Sequence, residues 1–161
     1  EDGIRDLVRS RGLGDVYKRQ ILGGGYFLAG RASQRMRIFL EQAGLPPSLV
    51  RRISIAAYEA EMNVCIYAPA GHLQVRLRPG EVELCVADNG PGIADLDKAM
   101  EPGFSTAPPK ARTLGFGAGM GLPNIARACD SFSIAPAGTH GGTRLVMRFT
   151  HTTPVNNGDK L

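Results

Sequence analysis

Apolar positions repeat along this chain with two periods, and the switches between them mark its elements. Over residues 29–43 the spacing is helical, with Met36, Phe39 and Leu40 on one stripe. Gly44 suits a helix C-terminus, and Pro46-Pro47 enforces the break. A second helix is predicted over residues 48–66, where Leu49, Ile53, Ala56, Ala57, Ala60, Val64 and Cys65 cover a broad apolar face. The period then becomes two. Leu73, Val75 and Leu77 alternate with Gln74, Arg76 and Arg78, and after Pro79-Gly80 the residues Val82, Leu84 and Val86 alternate with Glu81, Glu83 and Cys85. That is an antiparallel hairpin ending at Asp88. A short helix near residues 95–100, a helix over 122–129 and a last hairpin of Ser131–Ala135 with residues 143–150 complete the pattern. Near the start, residues 21–28 predict a short strand weakened by Gly23-Gly24-Gly25. The order β-α-α-β-β-α-β-β predicts an α+β fold, a two-layer sandwich with helices on one face of a mixed, mostly antiparallel sheet.

Composition changes this picture only at the ends. With 161 residues, 43% hydrophobic and 21% charged, the chain reads as one ordinary globular domain. It has no apolar run of membrane-spanning length and no signal-peptide pattern, so a cytoplasmic location is expected. A net charge of +4, scattered, does not argue for direct nucleic-acid binding. Cys65, Cys85 and Cys129 are odd in number and widely spaced among apolar neighbours, which favours buried free thiols. Residues 1–20 are dense in charge and keep no period. The run from Ile4 to Gln20 resembles translated adapter sequence, so 1–20 is expected to be non-native; the alternative is a mobile basic arm. The folded domain is expected over 21–151, with a loose polar tail over 152–161.

Candidate chemistry concentrates between Asp88 and Gly121. Asp88-Asn89-Gly90-Pro91-Gly92 opens the stretch, and Gly117-Ala118-Gly119-Met120-Gly121-Leu122 closes it before a helix with Pro123 in its first turn. Glycines at a helix N-terminus make an anion site, so the stretch is expected to hold a nucleotide. Glu59 and Asn63 are four apart and share a helical face. An Asn amide oxygen suits Mg²⁺ when phosphates and water supply the other ligands, and a carboxylate one turn earlier suits a proton acceptor. The alternative is a solvated polar stripe, to which Glu61 is assigned. A carboxylate at a strand end, such as Asp88, suits an adenine amino group; the alternative is a plain Asp-Asn-Gly turn.

Taken in order, Glu59-x-x-x-Asn63, Asp88-x-Gly90-x-Gly92, Gly117-x-Gly119-x-Gly121-Leu122 and Gly142-Thr143 resemble the GHKL (Bergerat-fold) ATPase superfamily, which includes gyrase and the histidine kinases. The P-loop pattern is absent. Within that superfamily, Ile55-Ala56-Ala57-Tyr58-Glu59-Ala60-Glu61-Met62-Asn63 and Phe116-Gly117-Ala118-Gly119-Met120-Gly121-Leu122-Pro123-Asn124 are similar to anti-sigma regulatory factors that are serine/threonine protein kinases. The resemblance implies ATP and Mg²⁺ as cofactors, with Glu59 as catalytic base, Asn63 as Mg²⁺ ligand and Asp88 as adenine contact. It also implies Gly90 and Gly92 as the pocket floor, Gly117, Gly119, Gly121 and Leu122 as the phosphate lid, and Thr143 as a water-mediated adenine contact. Lys110 or Arg112 is a candidate for charge neutralisation from the lid. The implied partners are an anti-anti-sigma protein of the STAS type and a sigma factor, with the chain a homodimer. An ATP-hydrolysing switch and a sigma-sequestering module without transfer are the alternatives. Tyr67 departs from the His or small residue often found four after the Asn, and Pro108-Pro109 is expected to stiffen the lid.

Overall fold

The computed structural model describes residues 16–139 and 141–152. Its elements are β1 (Val16–Leu22), a 3-10 turn (Tyr26–Leu28), α1 (Arg31–Gln42), α2 (Pro47–Tyr67), β2 (Ala70–Arg78), β3 (Glu81–Asp88), α3 (Leu96–Ala99), α4 (Pro109–Thr113), α5 (Gly121–Ala128), β4 (Ser131–Ala135) and β5 (Arg144–Thr150). The strands form a five-stranded sheet in the order β1-β2-β3-β5-β4. Each of these neighbouring pairs is antiparallel, so the sheet expected to be mixed is antiparallel throughout.

Strand alternation fixes which face is buried. Leu73 pairs with Val86 and Val75 with Leu84 across β2 and β3, and Leu84 pairs with Met147 and Val82 with Phe149 across β3 and β5. Their side chains form one inward ladder, on which Ile53, Ala56, Ala57, Ala60 and Val64 of α2 close the core. Ile53, Leu84, Met147 and Phe149 are completely buried, and burial of each side chain is worth roughly 1.5–3 kcal/mol. The opposite face carries an ion ladder in which Glu83 lies 3.2 Å from Arg148 and 3.7 Å from Arg76. Half-exposed pairs of this kind contribute little stability.

Three local features depart from the pattern expected of the sequence, and each is a correction to it. The first strand is Val16–Leu22, not 21–28, and residues 26–28 form the 3-10 turn instead. Residues 16–20, set aside with the N-terminal segment, therefore lie in an edge strand paired with β2; residues 1–15 and 153–161 lie outside the described residues. The third correction is Glu61, assigned to a solvated stripe but 2% exposed. It accepts the Ala32 N–H at 3.0 Å and the Ser33 N–H at 2.9 Å. Helix α1 begins after Gly30, which has no capping side chain, so Glu61 of α2 supplies the cap and a negative charge at the helix's positive end. The three thiols are free and buried, as their spacing suggested.

Candidate functional site

Helix α2 crosses the sheet and turns Glu59, Asn63, Ile66 and Tyr67 toward a cavity of about 580 Å³. The end of β3, the lid over 91–120 and the start of α5 complete its walls. Glu59, Asn63, Asp88, Gly92, Gly117, Gly119, Gly121, Leu122 and Thr143 all line it. Residues that are far apart in sequence therefore meet in one place. Tyr67, the departure noted above, is also in the wall.

Asp88 stands at the end of β3. Its Oδ1 accepts the Gly90 N–H at 2.8 Å and the Thr143 N–H at 3.3 Å. Both bonds fall on one oxygen, which leaves Oδ2 for a donor in the cavity. Gly90 was predicted to floor the pocket with Gly92, but it lies behind Asp88 and is not in the lining. A side chain there would meet Ala68 Cβ and the Tyr67 carbonyl, each at 3.0 Å. Its tight seat is what brings its N–H to Asp88. Gly142 is equally constrained, with φ of +86° and its missing Cβ pointing at the Asp88 carbonyl, so an L side chain would be strained and would collide there.

The wall of the cavity opposite Asp88's strand is completed by the lid and α5. Gly119 has φ of +78° and packs its backbone against Gly103 and Phe104, with the Gly103 N–H donating to the Gly119 carbonyl at 2.9 Å. Phe116 stacks on Tyr26 with ring centroids 5.7 Å apart, tying the lid to the 3-10 turn. The first-turn N–H groups of Gly121 and Leu122 have no intrahelical acceptor, and Pro123 has none to offer. They form a small electropositive cradle at the cavity edge. Lys110 and Arg112 are not in the cavity wall; Arg112 instead donates to the Ser105 carbonyl at 2.8 Å and braces the lid.

Glu59 and Asn63 face this cradle. A Cβ built on Gly121 would lie 3.5 Å from Glu59 Oε2 and 3.2 Å from Asn63 Oδ1. Glycine is the residue that leaves room between the two side chains and the helix end. Among the described residues no three His, Cys, Asp or Glu side chains gather as a metal cage. The Asn63 amide oxygen beside Gly121 is a donor that suits a magnesium ion taking its other ligands from phosphate and water. One contact was not foreseen. Asn124 donates from Nδ2 to Glu59 Oε1 at 2.9 Å, and Arg127 donates to Asn124 Oδ1 at 2.6 Å. Asn124 directly follows the Gly-Leu-Pro run, but nothing in its local sequence points to a partner 65 residues away.

Residues 28–149 match the family described as histidine kinase-like ATPase domain. The chain is 36% identical over 88 residues to the serine/threonine-protein kinase RsbT of Bacillus subtilis (strain 168), covering 52% of this chain and 59% of that protein. It is 30% identical over 99 residues to the anti-sigma F factor of Shouchella clausii (strain KSM-K16), covering 62% and 61% respectively. The matched segments thus span about six-tenths of these relatives' own length. Among solved structures, a mycobacterial sensor histidine kinase, MprB, aligns at a TM-score of 0.46 and 22% identity over 64% of this chain and 72% of its own. The family match extends over most of the chain and contains both α2 and the lid, and the chain belongs to the histidine kinase-like ATPase domain family.

Proposed function

We propose that this chain is an ATP-binding anti-sigma regulatory factor with protein serine/threonine kinase activity. Its substrate would be a hydroxyl on a small anti-anti-sigma protein of the STAS type, and the consequence would be control of a sigma factor. The observation that carries the reading is the meeting of Glu59 and Asn63 at Gly121, where a carboxylate and an amide oxygen face one helix N-terminus. The two curated relatives, one a serine/threonine kinase and one an anti-sigma factor, support the same class. A homodimer and a cytoplasmic site follow from family likeness alone.

Bound Mg-ATP supplies the phosphoryl group and the charge that makes its transfer possible. The protein's work is then positioning and neutralisation, because a loose transition state needs little covalent help. Asp88 Oδ2 would accept from the adenine amino group, and Gly92 would let the ring lie close to backbone. The N–H groups of Gly121 and Leu122 would hold phosphate oxygens, and Asn63 Oδ1 would hold the metal. Glu59 Oε2 accepts the hydrogen of the attacking hydroxyl and orients its oxygen. Hydrolysis would use the same parts with water in place of the hydroxyl.

The test is incubation of the purified chain with Mg²⁺, γ-labelled ATP and candidate STAS-type proteins. Acid-stable label on the partner supports the kinase reading. Release of free phosphate with no labelled protein would point to a hydrolytic switch, and binding without turnover to a sequestering module.

A further inference from the structure

Glu59 is not simply an exposed carboxylate on α2; it is the end of a three-residue chain of hydrogen bonds that starts at the protein surface. Arg127 is exposed on α5, and Asn124 lies one turn earlier on the same helix. A guanidinium has donors only, so the Asn124 atom facing Arg127 must be the amide oxygen. The amide nitrogen is thereby turned toward Glu59, where it donates to Oε1. Glu59 Oε2 is left beside Gly121 and Asn63 at the cavity edge.

We propose that Asn124 is a positioning residue for Glu59, with Arg127 fixing the sense of its amide. This rests on the reading of Glu59 as the proton acceptor. Tying Oε1 to α5 restricts the carboxylate to one orientation, in which Oε2 meets the incoming hydroxyl. Helix α5 carries the Gly121 cradle and Asn124 together, so its placement sets the phosphate seat and the base at once. The buried residues of α5 are Leu122, Pro123, Ile125 and Ala128, and Asn124 is not among them.

The experiment uses the full chain as wild type, Asn124→Ala, Asn124→Asp and Arg127→Ala. Affinity is read with a fluorescent ATP analogue, and turnover of the γ-phosphate is read at saturating ATP. Asn124→Ala should lower kcat on the order of 100-fold, the usual cost of misplacing a reacting group, while the nucleotide Kd stays within about twofold. Asn124→Asp, which sets a second carboxylate against Glu59, should lose at least as much. Arg127→Ala should lose less, because the amide can still turn to the productive sense part of the time. Unchanged kcat in Asn124→Ala, or kcat and affinity falling together, would overturn the assignment. A second readout does not need activity. The Asn124 side-chain amide resonances should move on Glu59→Ala and on Arg127→Ala, and fixed resonances would overturn the contact. A wild-type chain that binds ATP and never turns it over would sink the phosphotransfer reading, and the amide spectrum would then decide the hydrogen-bond chain by itself.

Discussion

Asp88 and Thr143 are bound to each other twice. The Asp88 N–H donates to the Thr143 carbonyl at 2.9 Å, and the Thr143 N–H donates to Asp88 Oδ1 at 3.3 Å. The junction of β3 with the start of β5 therefore holds the carboxylate through Oδ1, in the wall of the cavity. Thr143 reaches this position because Gly142 allows the chain to pass against Asp88.

Asp88→Asn isolates the role of Oδ2. The Asn oxygen can keep both backbone bonds, while its NH₂ would face a donor on the base. ATP affinity should fall about 10- to 100-fold, the range for losing a hydrogen bond to a charged group, with the fold unchanged. Calorimetric titration checks this, and an unaltered Kd would remove Asp88 from the nucleotide site.

Glu61→Ala should be costly for a different reason. It leaves the Ala32 and Ser33 N–H groups without their acceptor inside the protein. The expected loss is about 2–4 kcal/mol, since both a cap and a buried charge-assisted pair disappear. Glu61→Gln keeps one acceptor oxygen and should fall between. Urea unfolding measures the difference, and a loss under about 0.5 kcal/mol would contradict the capping role.

These two acids show what was legible in the sequence. Asp88 could be read because its signal is local: a strand end followed by glycines. Glu61 could not, because its partners are 29 and 28 residues upstream and only tertiary packing joins them. That Glu59 and Asn63 share one helical face was legible from their spacing, whereas the Asn124–Glu59 bond crosses the α2–α5 contact and leaves no local trace. The hairpin of β2 and β3 followed from strict alternation. Strand β1 did not, because its inward residues Tyr17 and Ile21 are separated by Lys18, Arg19 and Gln20, and an edge strand pairs on one side only. The lid helix α4 is a single short turn started by Pro109, too brief to carry a period.

Cys65 gives a pH dependence with a definite sign. Burial first, and then the Glu61 carboxylate, push its thiol from 9.0 up to about 11. The unfolded chain loses this proton near pH 9 and the folded chain near pH 11, so the unfolded state binds fewer protons in between. Stability should therefore decline as pH rises through that window. Wild type should lose stability more steeply there than Cys65→Ala, as measured by denaturant midpoints at successive pH values. Parallel curves would contradict it.

Glu59 is proposed to accept the proton of a protein hydroxyl during transfer from ATP. The most direct measurement compares wild type, Glu59→Gln and Glu59→Ala for transfer of γ-label to the partner protein, with ATP affinity measured on the same samples. Transfer should be lowered by about 10²- to 10⁴-fold in both variants, the range for losing a positioned acid or base, with ATP still bound. Transfer at the wild-type rate in Glu59→Ala would contradict it.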